Sequence, residues 1–371
     1  MRVFSLIIPV FNEEKTLKDI ISEVLTIEND IFFKNNNISL ELVLIDDFSS
    51  DNSYNILKSF ENSKIKVLKH SKNLGKGAAI KTGLMAATGD FIGIQDADME
   101  YNPKEYIKLL KTMIENNADV VYGSRYLAND NKRVLNFWHT LMNKGLTLFS
   151  NMYTNLTLTD METCYKLFKK DVIKKIAPKL KENRFGFEPE VTSYIAQEKC
   201  KIYECAISYN PRSYDEGKKI KAKDGFRALY CIMHYGKSSI SLPFQFILYT
   251  LIGGICAIAN ILLFLFLTKI IDNLLINISI SFVFSALLNY ILCIIFLFKH
   301  NAHFKTFGEI LAYIITLIIM GSVDYICTLA FLNLEMNNLL SKSLSNIVGL
   351  FGNFLLRKYF VFFEKKLWYT F

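Results

Sequence analysis

From residue 244 onward the chain is too apolar to fold in water by itself. Residues 244–371 hold eight Lys or Arg and five Asp or Glu among 128 positions, whereas the first 243 residues hold 35 and 30. Runs such as Leu262-Leu263-Phe264-Leu265-Phe266-Leu267 are hydrophobic all round and lack the polar face that a surface helix needs. Four segments, about 244–267, 275–298, 307–331 and 343–363, are each long enough to cross a hydrocarbon core of roughly 30 Å at about 1.5 Å per residue. The chain therefore divides into a soluble domain, 1–222, and a membrane domain, 241–371. In the joint, 223–240, Phe226, Leu229, Tyr230, Ile232 and Met233 gather on one side, with Lys223, Arg227 and Lys237 nearby. That pattern predicts an amphipathic helix, lying at a bilayer surface or packed on the soluble domain.

The soluble part alternates short apolar runs with helical periodicity, which predicts α/β architecture with a parallel sheet. Val3–Val10, Leu40–Ile45, Ile65–Leu68, Phe91–Ile94 and Val120–Tyr122 read as buried strands. Helices are expected from about Lys15 to Thr26, after a cap at Ser50 or Asp51, from Gly75 through Ala87, and after Pro103. Polar residues stand where the strands end, and Gln95-Asp96-Ala97-Asp98-Met99-Glu100 closes the fourth. In an open α/β sheet such positions meet at the carboxyl edge, where ligands bind. Asp-x-Asp there suits a hard divalent cation, Mg²⁺ or Mn²⁺. Asp46 and Asp47 suit the donors of a base or ribose, and Pro9 and Phe11 suit a wall for the base. Gly75-Lys76-Gly77 at a helix start offers N–H groups and a cation to phosphate. Neither GxGxxG nor a P-loop sequence is present, so the dinucleotide and P-loop signatures are missing.

The net charge of +8 is spread out, with no arginine-rich block and no zinc pattern, so a nucleic-acid footprint is absent. A basic balance beside a membrane suits lipid head groups and phosphorylated substrates. Seven cysteines without CxxC spacing suit reduced thiols facing the cytosol. The first strand starts at Val3, which predicts no signal peptide.

The motifs also stand in a telling order. Pro9-Val10-Phe11-Asn12-Glu13-Glu14, Asp46-Asp47-Phe48-Ser49-Ser50-Asp51, Asn73-Leu74-Gly75-Lys76-Gly77-Ala78-Ala79 and Asp96-Ala97-Asp98 follow one another. Gly123-Ser124-Arg125-Tyr126, Thr159-Asp160-Met161-Glu162-Thr163-Cys164-Tyr165-Lys166, Phe185-Gly186-Phe187-Glu188-Pro189-Glu190, Ser208-Tyr209-Asn210-Pro211-Arg212 and Gly217-Lys218-Lys219-Ile220 come next. Over about residues 3–236 this series resembles the family 2 glycosyltransferases, and most of all their dolichyl- or polyprenyl-phosphate sugar synthases. The resemblance implies a GT-A, Rossmann-like fold, a UDP- or GDP-linked sugar donor, a dolichyl or undecaprenyl phosphate acceptor, and inverting transfer.

By the same resemblance Pro9, Phe11, Asn12, Glu13, Asp46, Asp47, Lys76, Asp96, Ala97 and Asp98 belong to the nucleotide-sugar site. Asp96, Asp98 and Glu100 would surround the metal, although the third position is Gln in some relatives. Arg125 would grip the acceptor phosphate and, with Asp96 and Asp98, make the catalytic set. Arg212, Lys218 and Lys219 would form a basic loop closing over the donor. The mannose synthases of this group carry an Arg and a Ser on the next helix where this chain has His139 and Asn143, which counts against mannose. Glu188 and Glu190 either orient sugar hydroxyls or the loop, or cap a helix starting at Pro189. The chemistry agrees: a sugar leaves a nucleoside diphosphate only when the departing charge is neutralised. An acceptor phosphate, already anionic, needs a cation to position it rather than a strong base.

Phe244-Gln245-Phe246 and Gly352-Asn353-Phe354-Leu355-Leu356-Arg357-Lys358-Tyr359 give the last part a resemblance to GtrA-like membrane domains, which are associated with handling polyprenyl-linked sugars. The basic loop Lys299–Lys305 and the tail with Glu364, Lys365 and Lys366 place the soluble domain and both termini in the cytosol. Asp324, inside the third segment, is expensive there unless it faces the bundle interior. Three rivals stay open. A processive polysaccharide synthase lacks support, because neither Gln197 nor Gln245 begins a QxxRW motif. The others are transfer to a glycan that is not a lipid phosphate, and a lipid-sugar translocase or scaffold that only binds nucleotide.

Overall fold

The computed structural model describes residues 1–127, 133–212, 222–298, 306–336 and 338–362, in two units, Met1–Ser239 and Ile240–Phe371. In the first unit β1 (Arg2–Val10) leads to α1 (Leu17–Thr26) and the short α2 (Ile31–Asn35), β2 (Ile38–Asp46) to α3 (Ser53–Phe60), and β3 (Ile65–Lys69) to α4 (Lys76–Ala86). β4 (Phe91–Ile94) precedes α5 (Tyr106–Glu115), and β5 (Val120–Ser124) precedes α6 (Phe137–Thr154). β6 (Lys166–Lys169), α7 (Lys170–Ile176), α8 (Phe187–Gln197), β7 (Ile202–Ala206) and α9 (Ala222–Gly236) complete it.

The strands lie in the order β3-β2-β1-β4-β6-β5-β7. β6 runs antiparallel to β4 and β5, and the other neighbours are parallel. The sheet is therefore mixed, which corrects the expectation of a parallel one. Two lysines interrupt the run Lys166-Leu167-Phe168-Lys169, yet Lys166 is fully buried and donates to the carbonyl of Met161 at 3.1 Å. β7 carries Glu204 amid its apolar residues and gives no continuous run either. By contrast Leu6, Ile7, Ile8, Val43 and Leu44 are wholly buried, as expected where helices cover both faces of a sheet.

β1 has β2 on one side and β4 on the other, so the chain order reverses there. The crevice at this switch point is where the site forms. Three crevice turns hold one residue each in the left-handed region: Asn12 after β1, Phe48 after β2 and Met99 after β4, with φ of 53°, 63° and 59°. Phe and Met pay a steric penalty there, and strain of that kind clusters at functional sites. The expected cap of α3 shifts by a residue or two. Asn52 holds the N-cap position but its side chain caps no helix amide, accepting instead from the Asn55 side chain at 2.8 Å, while Asp51 accepts from the Ser53 and Glu14 amides at 3.0 and 3.1 Å. α9 buries Ala228, Cys231 and Ile232 against the first unit and leaves Phe226 and Tyr230 exposed. All seven cysteines are free of disulfides.

Glu41 ties the sheet together from inside. It accepts from Ser5 of β1, from the Thr88 amide and hydroxyl at 2.8 and 2.9 Å, and from Lys66 of β3 at 2.8 Å. Burial pushes its carboxyl up, but the bonds from Lys66, Ser5 and Thr88 outweigh that and hold it at about 2, below its usual 4.5. Glu41→Gln is expected to destabilise the fold by about 2 kcal/mol, the scale of a charged hydrogen bond lost in the interior. A folded-state value below the unfolded one gives stability that is present above about pH 4.5 and lost as pH falls toward 2. Thermal unfolding across that window checks both, since the variant should lose less on acidification than the wild type.

The second unit consists of α10 (Leu242–Leu267), α11 (Leu274–Leu292), α12 (Thr306–Asn333) and α13 (Asn338–Leu356). They fall on the four apolar segments. Pro243 sits in the first turn of α10, where its missing N–H is harmless. Among the described residues, Leu242–Leu267 and Ser279–Phe296 are long and apolar enough to cross a membrane, and Leu311–Val323 is a shorter apolar stretch. π turns at 293–297 and 357–361 extend α11 and α13. The basic loop 299–305, the tail from 363 and the side chain of Asp324 lie outside the described residues.

Candidate active site

A cavity of about 620 Å³ opens at the crevice, a size suited to a small organic ligand. Pro9, Phe11 and Glu13 line it after β1, Asp47 after β2, and Asp96, Ala97, Asp98 and Glu100 after β4. Arg125, at the end of β5, joins Lys76 of α4, His139 and Asn143 of α6, and Arg212. Two expected residues stand back from the cavity and build turns instead. Asn12 accepts from the Ser50 amide at 2.8 Å, and the wholly buried Asp46 accepts from the Ser49 amide at 3.2 Å. Lys218 and Lys219 lie outside the described residues.

Asp47 organises the loop that leads into α4. Its two oxygens accept from the Leu74 and Gly75 amides at 2.9 and 2.7 Å, and His70 Nδ1 lies at 2.7 Å. Gly75 has φ +102°, and a Cβ there would lie 2.4 Å from the Asn183 carbonyl oxygen. The Ala78 amide donates to that same oxygen at 3.0 Å. The glycines of this motif thus allow close packing of backbone on backbone, and these amides bond protein groups. Lys76 is what the helix start presents to the cavity.

The acidic cluster is held by two cations. Lys76 Nζ lies 2.8 Å from Asp96 and 3.7 Å from Glu188. Burial favours a neutral Lys76, but Asp96 keeps it firmly protonated. Arg212 donates to Glu13 at 3.0 and 3.2 Å and to Asp98 at 3.1 Å, and its own amide donates to Glu100 at 2.8 Å. Tyr209 donates to the other Glu100 oxygen at 2.8 Å. Burial, with Asp96 and Glu100 alongside, still pushes the Asp98 carboxyl up to about 7. Lys76 and Arg212 between them thus meet five carboxylates, those of Glu13, Asp96, Asp98, Glu100 and Glu188. Among the described residues no three acidic, His or Cys side chains are grouped to cage a metal by themselves. Mg²⁺ needs only one or two carboxylates, with substrate phosphates and water completing its shell, so the hard oxygen donors Asp96 and Asp98 fit such an ion.

Arg125 is buried, and Asp160 engages its guanidinium in a two-pronged pair at 2.7 and 2.8 Å and its amide at 3.0 Å. Tyr209 lies 5.1 Å from the guanidinium carbon. This fixes the fork in one orientation and leaves its remaining N–H donors for a ligand. The pairing of Asp160 with Arg125 bridges 35 residues, so no local spacing in the sequence betrays it. Glu162 and Glu188 also line the cavity. Burial, and then Glu188 beside it, raises the Glu162 carboxyl well above the usual range, and its Oε1 is buried without a partner. Glu190 instead caps backbone, accepting from the Lys181 and Glu182 amides at 2.7 and 2.9 Å.

The rest of the lining is apolar. Trp138, Met142 and Leu146 of α6 and Ala228 of α9 contribute to the same cavity. Phe137, Trp138, Leu141, Met142, Leu148 and Met152 are also exposed at the surface of α6. Their three- and four-residue spacing puts them along one stripe.

Residues 5–177 match the family described as Glycosyl transferase family 2, and residues 248–362 match GtrA/DPMS, transmembrane domain. The dolichyl-phosphate beta-glucosyltransferase ALG5D of Trichomonas vaginalis is 29% identical, over 58% of this chain and 68% of that protein. The UDP-N-acetylglucosamine–dolichyl-phosphate N-acetylglucosaminyltransferase of Methanococcus voltae is 25% identical, over 62% of this chain and 95% of that protein. Among solved structures, glucosyl-3-phosphoglycerate synthase of Mycobacterium tuberculosis is 14% identical, with a TM-score of 0.48 over 65% of this chain and 80% of that chain.

Proposed function

The chain joins a family 2 glycosyltransferase domain to a GtrA/DPMS transmembrane domain, and from that premise we propose that it transfers one sugar from a nucleotide donor to a polyprenyl phosphate. The observation that carries this reading is the two-sided lining of one cavity. Acidic strand ends and Lys76 suit a nucleoside diphosphate, while Arg125 stands with Trp138, Met142 and Leu146, which suit a phosphate on an apolar chain. The exposed stripe on α6 supports a lipid acceptor over a soluble glycan.

In this reading Pro9, Phe11 and Asp47 hold the nucleoside, and Asp96 and Asp98 hold Mg²⁺ or Mn²⁺. The ion, when bound, neutralises the diphosphate as it departs. Lys76 adds a fixed cation beside Asp96. Arg125, oriented by Asp160, places the acceptor phosphate so that one of its oxygens attacks the anomeric carbon. The bond from that carbon to the diphosphate oxygen breaks on the opposite face, its electron pair leaving with the nucleotide, and the configuration inverts. A phosphate oxygen already carries charge, so no side chain has to remove a proton. Catalysis rests on positioning and electrostatics, on the cytosolic side of the membrane.

The full chain in detergent, given short polyprenyl phosphate, Mg²⁺ or Mn²⁺ and a panel of UDP- and GDP-sugars, should form a lipid-linked sugar detectable by mass. Formation from one donor that EDTA abolishes is the expected result. Transfer to a soluble glycan alone would overturn the lipid-phosphate reading.

A further inference from the structure

The membrane unit buries two cations that the transfer reaction does not use. Arg357 and Lys358 open the π turn after α13 and are only 5% and 6% exposed. Charge inside a membrane bundle is costly and marks function more often than structure. Lys and Arg near the end of a span commonly reach outward to water, and these two do not.

Arg357 has neutral partners. It donates to Asn289 Oδ1, and its guanidinium carbon lies 4.6 Å from the Tyr313 ring centre and 5.5 Å from that of Tyr249. Among the described residues no carboxylate pairs with it, and its buried Nε has no acceptor. Lys358 donates to Gln245 Oε1, which α10 holds almost completely buried. Neighbours on a regular α-helix point about 100° apart at 3.6 residues per turn. Here the wider π turn lets both face inward. The other π turn lies against it: Cys293, Leu297 and Phe298 pack with Val361 and Phe362, and the rings of Phe298 and Phe362 stack at 4.8 Å. Such turns gather at functional positions.

We propose that Arg357 and Lys358, framed by Gln245 and Asn289, form a phosphate-binding site inside the membrane domain, and that its ligand is the phosphate of a polyprenyl-linked lipid. The lipid identity rests on the transferase reading above. The chemistry rests on the bundle: an arginine fork with an unused Nε matches phosphate oxygens bidentately. A second cation beside it favours a multiply charged head group over a lone carboxylate. An anion reaching a site among apolar helices must also carry an apolar tail, and the outward faces of these helices expose Ile255, Ile258 and Leu262 of α10 and Phe284 and Leu287 of α11. The chain would then hold polyprenyl phosphate or its glycosylated product through groups of its second unit, besides Arg125 of the first.

The test uses the full chain in phosphatidylcholine nanodiscs, titrated with short polyprenyl phosphate and read by native mass spectrometry. Wild type should take up two lipids. Arg357→Gln should weaken one of them at least about tenfold, as loss of a charged hydrogen bond implies. Arg125→Lys should weaken the other. Helical circular dichroism and an unchanged thermal midpoint in the nanodisc verify that each variant's second unit is folded, and Arg357→Lys, expected to lose less, serves if the Gln variant does not fold. Two lipids bound with unchanged affinity to folded Arg357→Gln and Arg357→Lys would overturn the site. Equal displacement by inorganic phosphate or phosphatidylglycerol would overturn the lipid assignment. If wild type glycosylates no lipid while Arg357-dependent binding persists, the transferase reading fails and the site stands.

Discussion

Replacing Asp98 by Asn is expected to lower kcat/KM for sugar transfer by about 10³-fold, the scale seen when one preorganised electrostatic contact is removed from a reacting centre. The substitution keeps shape and removes one charge. Arg212 retains Glu13 and Glu100, so the loop it anchors should stay in place and the unfolding midpoint should hardly change. The loss should fall on the step in which the diphosphate departs, because that is where extra negative charge must be offset. Metal-dependent nucleotide binding, measured by calorimetry with and without Mg²⁺, should weaken in the variant, whereas metal-free binding should not. A loss in kcat/KM below tenfold would remove Asp98 from the centre of the reaction.

Arg125→Lys separates acceptor recognition from stability. Lysine keeps a positive charge beside the buried Asp160, so it avoids leaving that carboxylate alone, a change that costs about 3–5 kcal/mol in buried pairs. It cannot keep two prongs on Asp160 and also present a fork to phosphate. The KM for polyprenyl phosphate should rise about tenfold or more, while the KM for the donor moves little. Equal changes in both would mean that Arg125 serves the donor. Asp160→Ala provides the contrast: it strips the counter-charge from a buried guanidinium and should lower the unfolding midpoint sharply.

Much of the catalytic unit was legible because strand ends are legible. Apolar runs closing on Asp46-Asp47, on Asp96-Ala97-Asp98 and before Arg125 locate a carboxyl edge without knowledge of strand order. What failed did so for local reasons. β6 was missed because lysines bracket its short apolar core, and burying Lys166 depends on carbonyls of its own preceding turn. Asn12 and Asp46 hold turns beside the cavity, since the residue type that suits a nucleotide also builds left-handed and Asx-type turns.

Composition and pattern alone determined that a charged α/β domain is followed by a membrane domain, and that carboxylates and an arginine meet at a sheet edge. These follow from periodicities of two and 3.6 residues and from the cost of charge in lipid, both local along the chain. Only the tertiary structure decided which groups neutralise one another. Arg212 gathers Glu13, Asp98 and Glu100, Asp160 locks Arg125, Glu41 joins three strands, and Arg357 is left among neutral partners. Electrostatic energy depends on distances of a few ångströms in a low-dielectric interior, and those distances are set by packing between residues far apart in the chain.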